Sequence, residues 1–364
     1  MQLKVGILTF HYTTNYGAVL QAYALKKYIS MLGYDVSIID YRSTAEKSAM
    51  QVYRVRDFRN PINIIKYLIR KKTHIEKIDT FKQFIAQELC VDSHIINNLT
   101  ETQGTYDTIV CGSDQIWNRY ITGEDNTYLL DFDDSCKRVS YAASIGASAY
   151  NEKHCKIISD HLKNFYAVSV REAESRTKLL EYGINATVCC DPTLLFDKKE
   201  WSGLAKQPTI LLNKFLFAYE LEVNPEMRLH AEAIAKEKGL EVIYLIANSL
   251  ETPANKGTVR YLNRCTPQEF LWYMSNSEYV VTNSFHGTIF SINFEKNFQS
   301  FLLKNQANVN NRITNVLSQF HLTNRLFQNE ATCGDIDYTS ISVEVQHDRE
   351  KGKQFLKDSL LYEK

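Results

Sequence analysis

The sequence predicts an α/β protein made of two doubly wound domains that face each other across a cleft. Three observations carry this expectation. A β-favouring run at 4–10 leads through a polar loop into a helical pattern that Gly33 ends, and a second strand-like run follows at 35–39. Strand, helix and strand within about forty residues make the repeating unit of a parallel sheet. Strand-like and helical segments then alternate in two successive series. Between the series stands Asp191-Pro192-Thr193, where proline cannot continue a strand ladder.

The first helix carries Val19, Leu20, Tyr23, Ala24, Leu25, Tyr28 and Ile29 at its apolar positions. Residues 43–100 break the alternation and read as a helical insertion. One helix begins at Pro61, with Ile62, Ile65, Leu68 and Ile69 on one side, and a second covers 74–90. Strands are then expected at 106–111, 138–145, 166–170 and 186–190, with helices at 152–163 and 172–182. The second series reads as strand 209–218, helix 225–238, strand 241–246, helix 267–276, strand 278–282, helix 287–294 and strand 298–303. A terminal helix at about 340–361 is expected to pack back. The expected division is a first domain over 1–195, a second over 196–335, and the final helix within 336–364.

The 364 residues balance 42 Lys+Arg against 42 Asp+Glu, which argues against a dedicated nucleic-acid binder. The first residues run straight into a strand and lack the pattern of a signal peptide, and no apolar run approaches the roughly 20 residues that span a bilayer. The eight cysteines are scattered without C-x-x-C spacing, so a cytoplasmic protein with reduced thiols and no metal site is expected. The stretch 51–72 carries seven Lys/Arg against Asp57. It is either a solvated helix face or a contact with the anionic inner surface of a membrane.

In open parallel sheets, ligands sit beyond the carboxyl ends of the strands, so the loops after strands hold the candidates. The loop His11–Gly17 enters a helix N-terminus, where free amides suit an anion or a sugar hydroxyl; alternatively Asn15 and Gly17 only make the turn. It has no dinucleotide or P-loop fingerprint. The segment after the third strand gathers Ser113, Asp114, Gln115, Trp117 and Asn118, fit either for sugar hydroxyls and stacking or for a turn with Trp117 as core filler. Arg171 ends an apolar strand, ready for a bidentate grip on an anion or for pairing with Glu172 or Glu174. The sharpest spot is Asn283-Ser284-Phe285-His286-Gly287, where a buried strand runs into a helix. A histidine there feels the positive end of the helix dipole, which disfavours the imidazolium until an anion binds beside it. That suits an acid that is loaded only when substrate is present, although a lone histidine also serves for capping or packing. Lys304 and Arg312 follow the next strand, as cleft cations or solvated loop residues.

Taken in order, VGILTFHYTTNYGAVLQAYAL, YDTIVCGSDQIWN, YAASIGAS, VSVREAES, CCDPTLL and VVTNSFHGTIFSINF resemble the polysaccharide pyruvyl transferase family over most of the chain. The resemblance implies two Rossmann-like domains arranged as in GT-B glycosyltransferases, the first binding the acceptor and the second the donor. It implies pyruvyl transfer from phosphoenolpyruvate to a sugar, sometimes lipid-linked, as a ketal with loss of phosphate and without a cofactor. His286 then maps to the general acid. Arg171, Asn283, Ser284, Gly287, Lys304 and Arg312 map to the donor side, and Asn15, Tyr16, Gly17, Ser113, Asp114, Gln115 and Trp117 to the acceptor side. Many relatives carry an arginine two residues before the histidine, where this chain has Ser284. Either Lys304 or Arg312 replaces that charge, or donor binding differs. The alternatives are a glycosyltransferase using a nucleotide sugar and a glycan-binding relative without catalysis.

Overall fold

The computed structural model describes residues 2–50, 61–123, 125–132, 136–146, 151–209, 213–247, 253–305, 309–328 and 334–361. The side chains of residues 45, 48, 49 and 61–71 lie outside that description, so the expectation of a membrane contact through 51–72 falls outside the described residues. Among the described residues, no helix is long and apolar enough to cross a membrane.

The first sheet is parallel, with strands β1 (Lys4–Leu8), β2 (Asp35–Ile38), β3 (Thr108–Cys111) and β4 (Lys137–Ser140) in the order β2-β1-β3-β4. Single bridges, Val139 to Ala167 and Ala143 to Val170, carry it on to the short pair β5 (Ser169–Val170) and β6 (Thr187–Val188). The second sheet is also parallel. Its strands β7 (Phe215–Glu220), β8 (Glu241–Ile246), β9 (Val259–Tyr261), β10 (Tyr279–Thr282) and β11 (Asn297–Ser300) run in the order β11-β10-β7-β8-β9. In each sheet the chain builds outward on one side of the first strand and then crosses to the other. The reversals, between β1 and β3 and between β7 and β10, open the crevices where such sheets bind ligands.

Helix α1 (Tyr16–Met31) follows β1, and its N-cap Asn15 accepts from the amides of Gly17 and Ala18. Tyr16, Val19, Leu20, Ala24 and Leu25 of α1 belong to one continuous core with Phe270, Leu271 and Phe290. That core joins the two sheets through α9 (Pro267–Asn276) and α10 (Phe285–Asn293). Eleven of the sixteen positions of α1 are therefore buried, as expected of a helix packed on more than one side.

Helix α8 (Pro225–Lys238) shows how local sequence sets boundaries. Asn224 caps its first amides, Pro225 takes the first turn, and Gly239 closes it with φ 65°. The insertion differs from expectation. After α2 (Thr44–Ala49), a single helix α3 (Pro61–Glu88) replaces the two expected, with no proline or glycine inside it to break it. Strands expected at 138–145 and 298–303 end at Ser140 and Ser300; after Ser140 the chain stays buried and keeps only single bridges, through Ala143 to Asp114 and Val170. Strand β9 and helix α7 (Lys198–Leu204) carried no expectation at all.

The last helix, α12 (Tyr338–Leu360), spans both halves. Its buried Arg349 donates to the carbonyl of Leu194 at 2.7 Å and to Asn293 Oδ1 at 3.0 Å. At its far end, Tyr34 donates to the carbonyl of Leu360 at 2.9 Å. Helices α4 (Arg119–Thr122), α5 (Glu152–Leu162), α6 (Ala173–Leu180) and α11 (Asn311–Gln319) complete the layers.

Candidate active site

The crevices of the two sheets meet in one cleft of about 280 Å³. Phe10, Thr13 and Asn15 reach it from the loop after β1, and Asp114 and Gln115 from the loop after β3. Leu221 follows β7; Ser284, Phe285 and His286 follow β10; Leu303 and Arg312 follow β11. Strands β1, β3, β7 and β10 thus deliver their next few residues to one place, and the first turn of α11 adds Arg312.

His286 lies in the first turn of α10, whose N-cap Ser284 accepts from the Gly287 amide at 3.2 Å. The imidazole is 7% exposed, and its Nε2 stands 3.6 Å from Asp191 Oδ2 with no hydrogen-bond partner of its own. The rest of the ring presses on Gly17 of α1, where an added Cβ would lie 2.0 Å from His286 Nδ1. A glycine is required there because the histidine of the other half fills the space of a side chain.

Asp191 is fully committed. Its Oδ1 accepts from the Thr193 amide at 3.0 Å and the Thr193 hydroxyl at 2.7 Å, and its Oδ2 accepts from Arg171 Nη1 at 2.8 Å. Burial alone would raise this carboxyl, but His286, Arg171 and the Thr193 amide together hold it well below the usual carboxylate range. Arg171 also donates from Nε to Glu172 at 2.9 Å, while its Nη2 has no hydrogen-bond partner and points to Asp114 at 3.9 Å. Burial works against the charge of Arg171, yet Glu172, Asp191 and Asp114 outweigh it and keep the guanidinium firmly protonated.

Arg312 is held differently. Its guanidinium lies 3.7 Å from Asp114 Oδ1 and 5.3 Å from the centre of the Phe285 ring. Gln115 stands 3.2 Å from both terminal nitrogens when its amide oxygen turns to them. Loss of water, followed by repulsion from Arg171, pulls this guanidinium down to about 10. A cation so poorly compensated in a cleft is a natural partner for an anionic ligand.

The family model for polysaccharide pyruvyl transferase matches residues 15–301, from the N-cap of α1 to just past the end of β11. The chain belongs to the polysaccharide pyruvyl transferase family. No curated protein matches the sequence. Among solved structures, the UDP-GlcNAc 2-epimerase of Methanocaldococcus jannaschii has a TM-score of 0.50 at 11% identity, covering 100% of this chain and 94% of its own. S. aureus MnaA with UDP gives 0.50 at 10% identity, covering 100% and 90%. These likenesses bear on the fold alone, which is GT-B-like.

Of the residues expected at the site of this pyruvyl transferase relative, Asn15, Asp114, Gln115, Ser284, His286 and Arg312 do line the cleft. Others are placed elsewhere. Tyr16 is buried between the halves, stacked on Phe270 at 4.9 Å. Ser113 is fully buried and donates to the Ala142 carbonyl at 2.6 Å. Trp117 is core, 1% exposed, with its indole N–H on the Tyr128 carbonyl at 3.0 Å. Asn283 ties the loops after β7 and β10 by accepting from Leu221 N at 2.7 Å and donating to Glu222 O at 2.6 Å. Lys304 turns away to an exposed pair with Glu226 at 3.2 Å. Gly17 and Gly287 shape the site through the space they leave, and Arg171 lies under the cleft facing an adjoining cavity of about 350 Å³.

Sequence reasoning missed Asp191, Phe285 and Glu46. Asp191 stood in a phrase read only as a terminator, although an Asp capping the next turn was itself visible. Phe285 offers its ring to the guanidinium groups of both Arg171 and Arg312, at 4.5 and 5.3 Å. Glu46 braces the β1 loop by accepting from the amides of His11 at 3.0 Å and Tyr12 at 3.1 Å. No pattern in the sequence connected Glu46 with that loop, because the contact crosses more than thirty residues.

Proposed function

We propose that this family member transfers pyruvate from phosphoenolpyruvate to two hydroxyls of one sugar, forming a cyclic ketal and releasing phosphate. The observation that supports it best is that an acid-base residue, His286, and an undercompensated cation, Arg312, open on one cleft beside a carboxylate, Asp114. His286 protonates the methylene carbon, and the adjacent carbon becomes an oxocarbenium-like centre. A sugar hydroxyl attacks it and gives its proton to Asp114. Phosphate then leaves, and the second hydroxyl closes the ring with loss of its own proton. Arg312 takes the place of the arginine that Ser284 lacks, and with Arg171 Nη2 balances the carboxylate and the departing phosphate. As written, no step calls for a metal or redox cofactor.

The sugar acceptor is placed beside the donor in the same cleft, at Asn15 and Gln115. Ile121 and Leu221 add apolar lining to the cleft, which suits a saccharide carried on a lipid. The test is phosphate release from phosphoenolpyruvate against a panel of saccharides, with mass spectrometry of the sugar product. His286→Ala is expected to abolish release while retaining the melting curve. Near-normal turnover in that variant overturns the reading. Thermal protection by a nucleoside diphosphate and none by phosphoenolpyruvate would favour a nucleotide-sugar glycosyltransferase; sugar binding without phosphate release would favour a glycan-binding relative.

A further inference from the structure

We infer that Asp191 is a positioning residue that fixes His286 as the Nε2–H tautomer, leaving Nδ1 as the nitrogen that carries the transferred proton. The inference rests on the reading of His286 as the acid, and it concerns which edge of the ring does the work.

The two ring nitrogens have unlike surroundings. Nε2 is buried, and the nearest charge to it is the Asp191 carboxylate at 3.6 Å. That carboxylate is itself immobilised by Thr193 and by Arg171, and its depressed range keeps it an acceptor that cannot donate. A neutral imidazole has one donor nitrogen and one acceptor nitrogen, and the neighbour of one decides the role of the other. Beside a fixed carboxylate, the N–H belongs on Nε2. The 3.6 Å separation is longer than a hydrogen bond, as is common in sites that tighten when substrate binds.

Of the two ring nitrogens only Nε2 is buried without a partner, and the face of the ring beside Nδ1 rests on Gly17. The ring can rest there because residue 17 has no side chain; an alanine Cβ would meet Nδ1, Cγ and Cε1 at 2.0, 2.2 and 2.6 Å. When the ring takes its second proton, that proton is the one on Nδ1, and with Nε2 buried beside Asp191 it is the one left for a substrate carbon. Delivery breaks the Nδ1–H bond and forms the C–H bond, which returns the ring to the Nε2–H tautomer. Asp191 keeps its charge throughout.

The test is nitrogen NMR of the full-length protein labelled with ¹⁵N-histidine, with His286→Gln used to assign the signal. At a pH where His286 is neutral, a pyrrole-type Nε2 and a pyridine-type Nδ1 are expected. Asp191→Asn removes the charge that holds the N–H on Nε2, so the preference for that tautomer should weaken, and kcat should fall by at least about a hundredfold with KM changed far less. Gly17→Ala should displace the ring and lower kcat while the far-ultraviolet spectrum stays native. An Nδ1–H tautomer in the unaltered protein overturns the proposal even if Asp191→Asn fails to fold. So does a folded Asp191→Asn protein with unchanged tautomer and kcat. Absence of phosphate release from phosphoenolpyruvate in the unaltered enzyme would instead count against the proposed reaction, since the tautomer is read without substrate.

Discussion

The hydroxyl of Tyr16, at the start of the helix that follows the first strand, donates to the main-chain carbonyl of Cys265 in the second half at 2.8 Å. Both partners are buried, so the bond replaces water that neither could regain without parting the halves. Tyr16→Phe leaves the ring stacked on Phe270 and strips the carbonyl of its donor. A loss of about 1–3 kcal/mol is expected, measured by urea unfolding, with no direct effect on affinity for either substrate.

The cations after β11 should separate cleanly. Arg312→Ala is expected to raise KM for phosphoenolpyruvate and lower kcat, and Arg312→Lys to recover only part, since a lysine cannot reproduce a planar grip. Lys304→Ala should behave as the unaltered enzyme, because its exposed pair with Glu226 is worth about 0–1 kcal/mol at most. Steady-state kinetics over a range of phosphoenolpyruvate concentrations check both.

Trp117 offers a test of core against ligand surface. Trp117→Ala should cost about 3–5 kcal/mol by removing a fully buried indole and freeing the Tyr128 carbonyl. The milder Trp117→Phe should fold and keep its KM for the sugar. A raised sugar KM in Trp117→Phe with unaltered stability would return the indole to the acceptor site.

Lys77, on α3, contacts the Ala247 carbonyl and lines a cavity of about 20 Å³ beside Cys265. Burial holds its amine down to about 8, against an ordinary 10.5. Between those values the unfolded chain binds more protons than the folded one, so stability rises with pH across this window. Below pH 8 both states are charged and the cost of burial is paid in full. The rise amounts to about 3 kcal/mol at most. Lys77→Met should flatten it, which denaturant titrations at several pH values would measure.

Much of this was legible because helix and strand boundaries here are local events. Asn224, Pro225 and Gly239 mark α8 at both ends, and 225–238 and 241–246 are the ranges the sequence pattern predicts. His286 and Asp114 were found by a topological rule, that strands deliver their next residues to the crevice. What stayed hidden depended on which way a side chain turns at a strand end. Ser113 points into the core and Asp114, one residue on with φ 64°, into the cleft. Leu303 faces the cleft and Lys304 the solvent. The roles of Asp191 and Glu46 arise from contacts spanning 95 (286 − 191) and 35 positions, which no local pattern encodes.

The seat that Gly17 provides for His286 ties the chemistry to the assembly of the molecule. The imidazole belongs to one half and its seat to the other, so drawing the halves apart would leave the ring without the backbone that fixes its angle. In the proposed reaction, an enol phosphate held in an open cleft would meet no correctly aimed acid. Water entering that cleft would then find an unactivated donor. The joint between the halves thus acts as a safety interlock, since the acid is aimed only while they stay together.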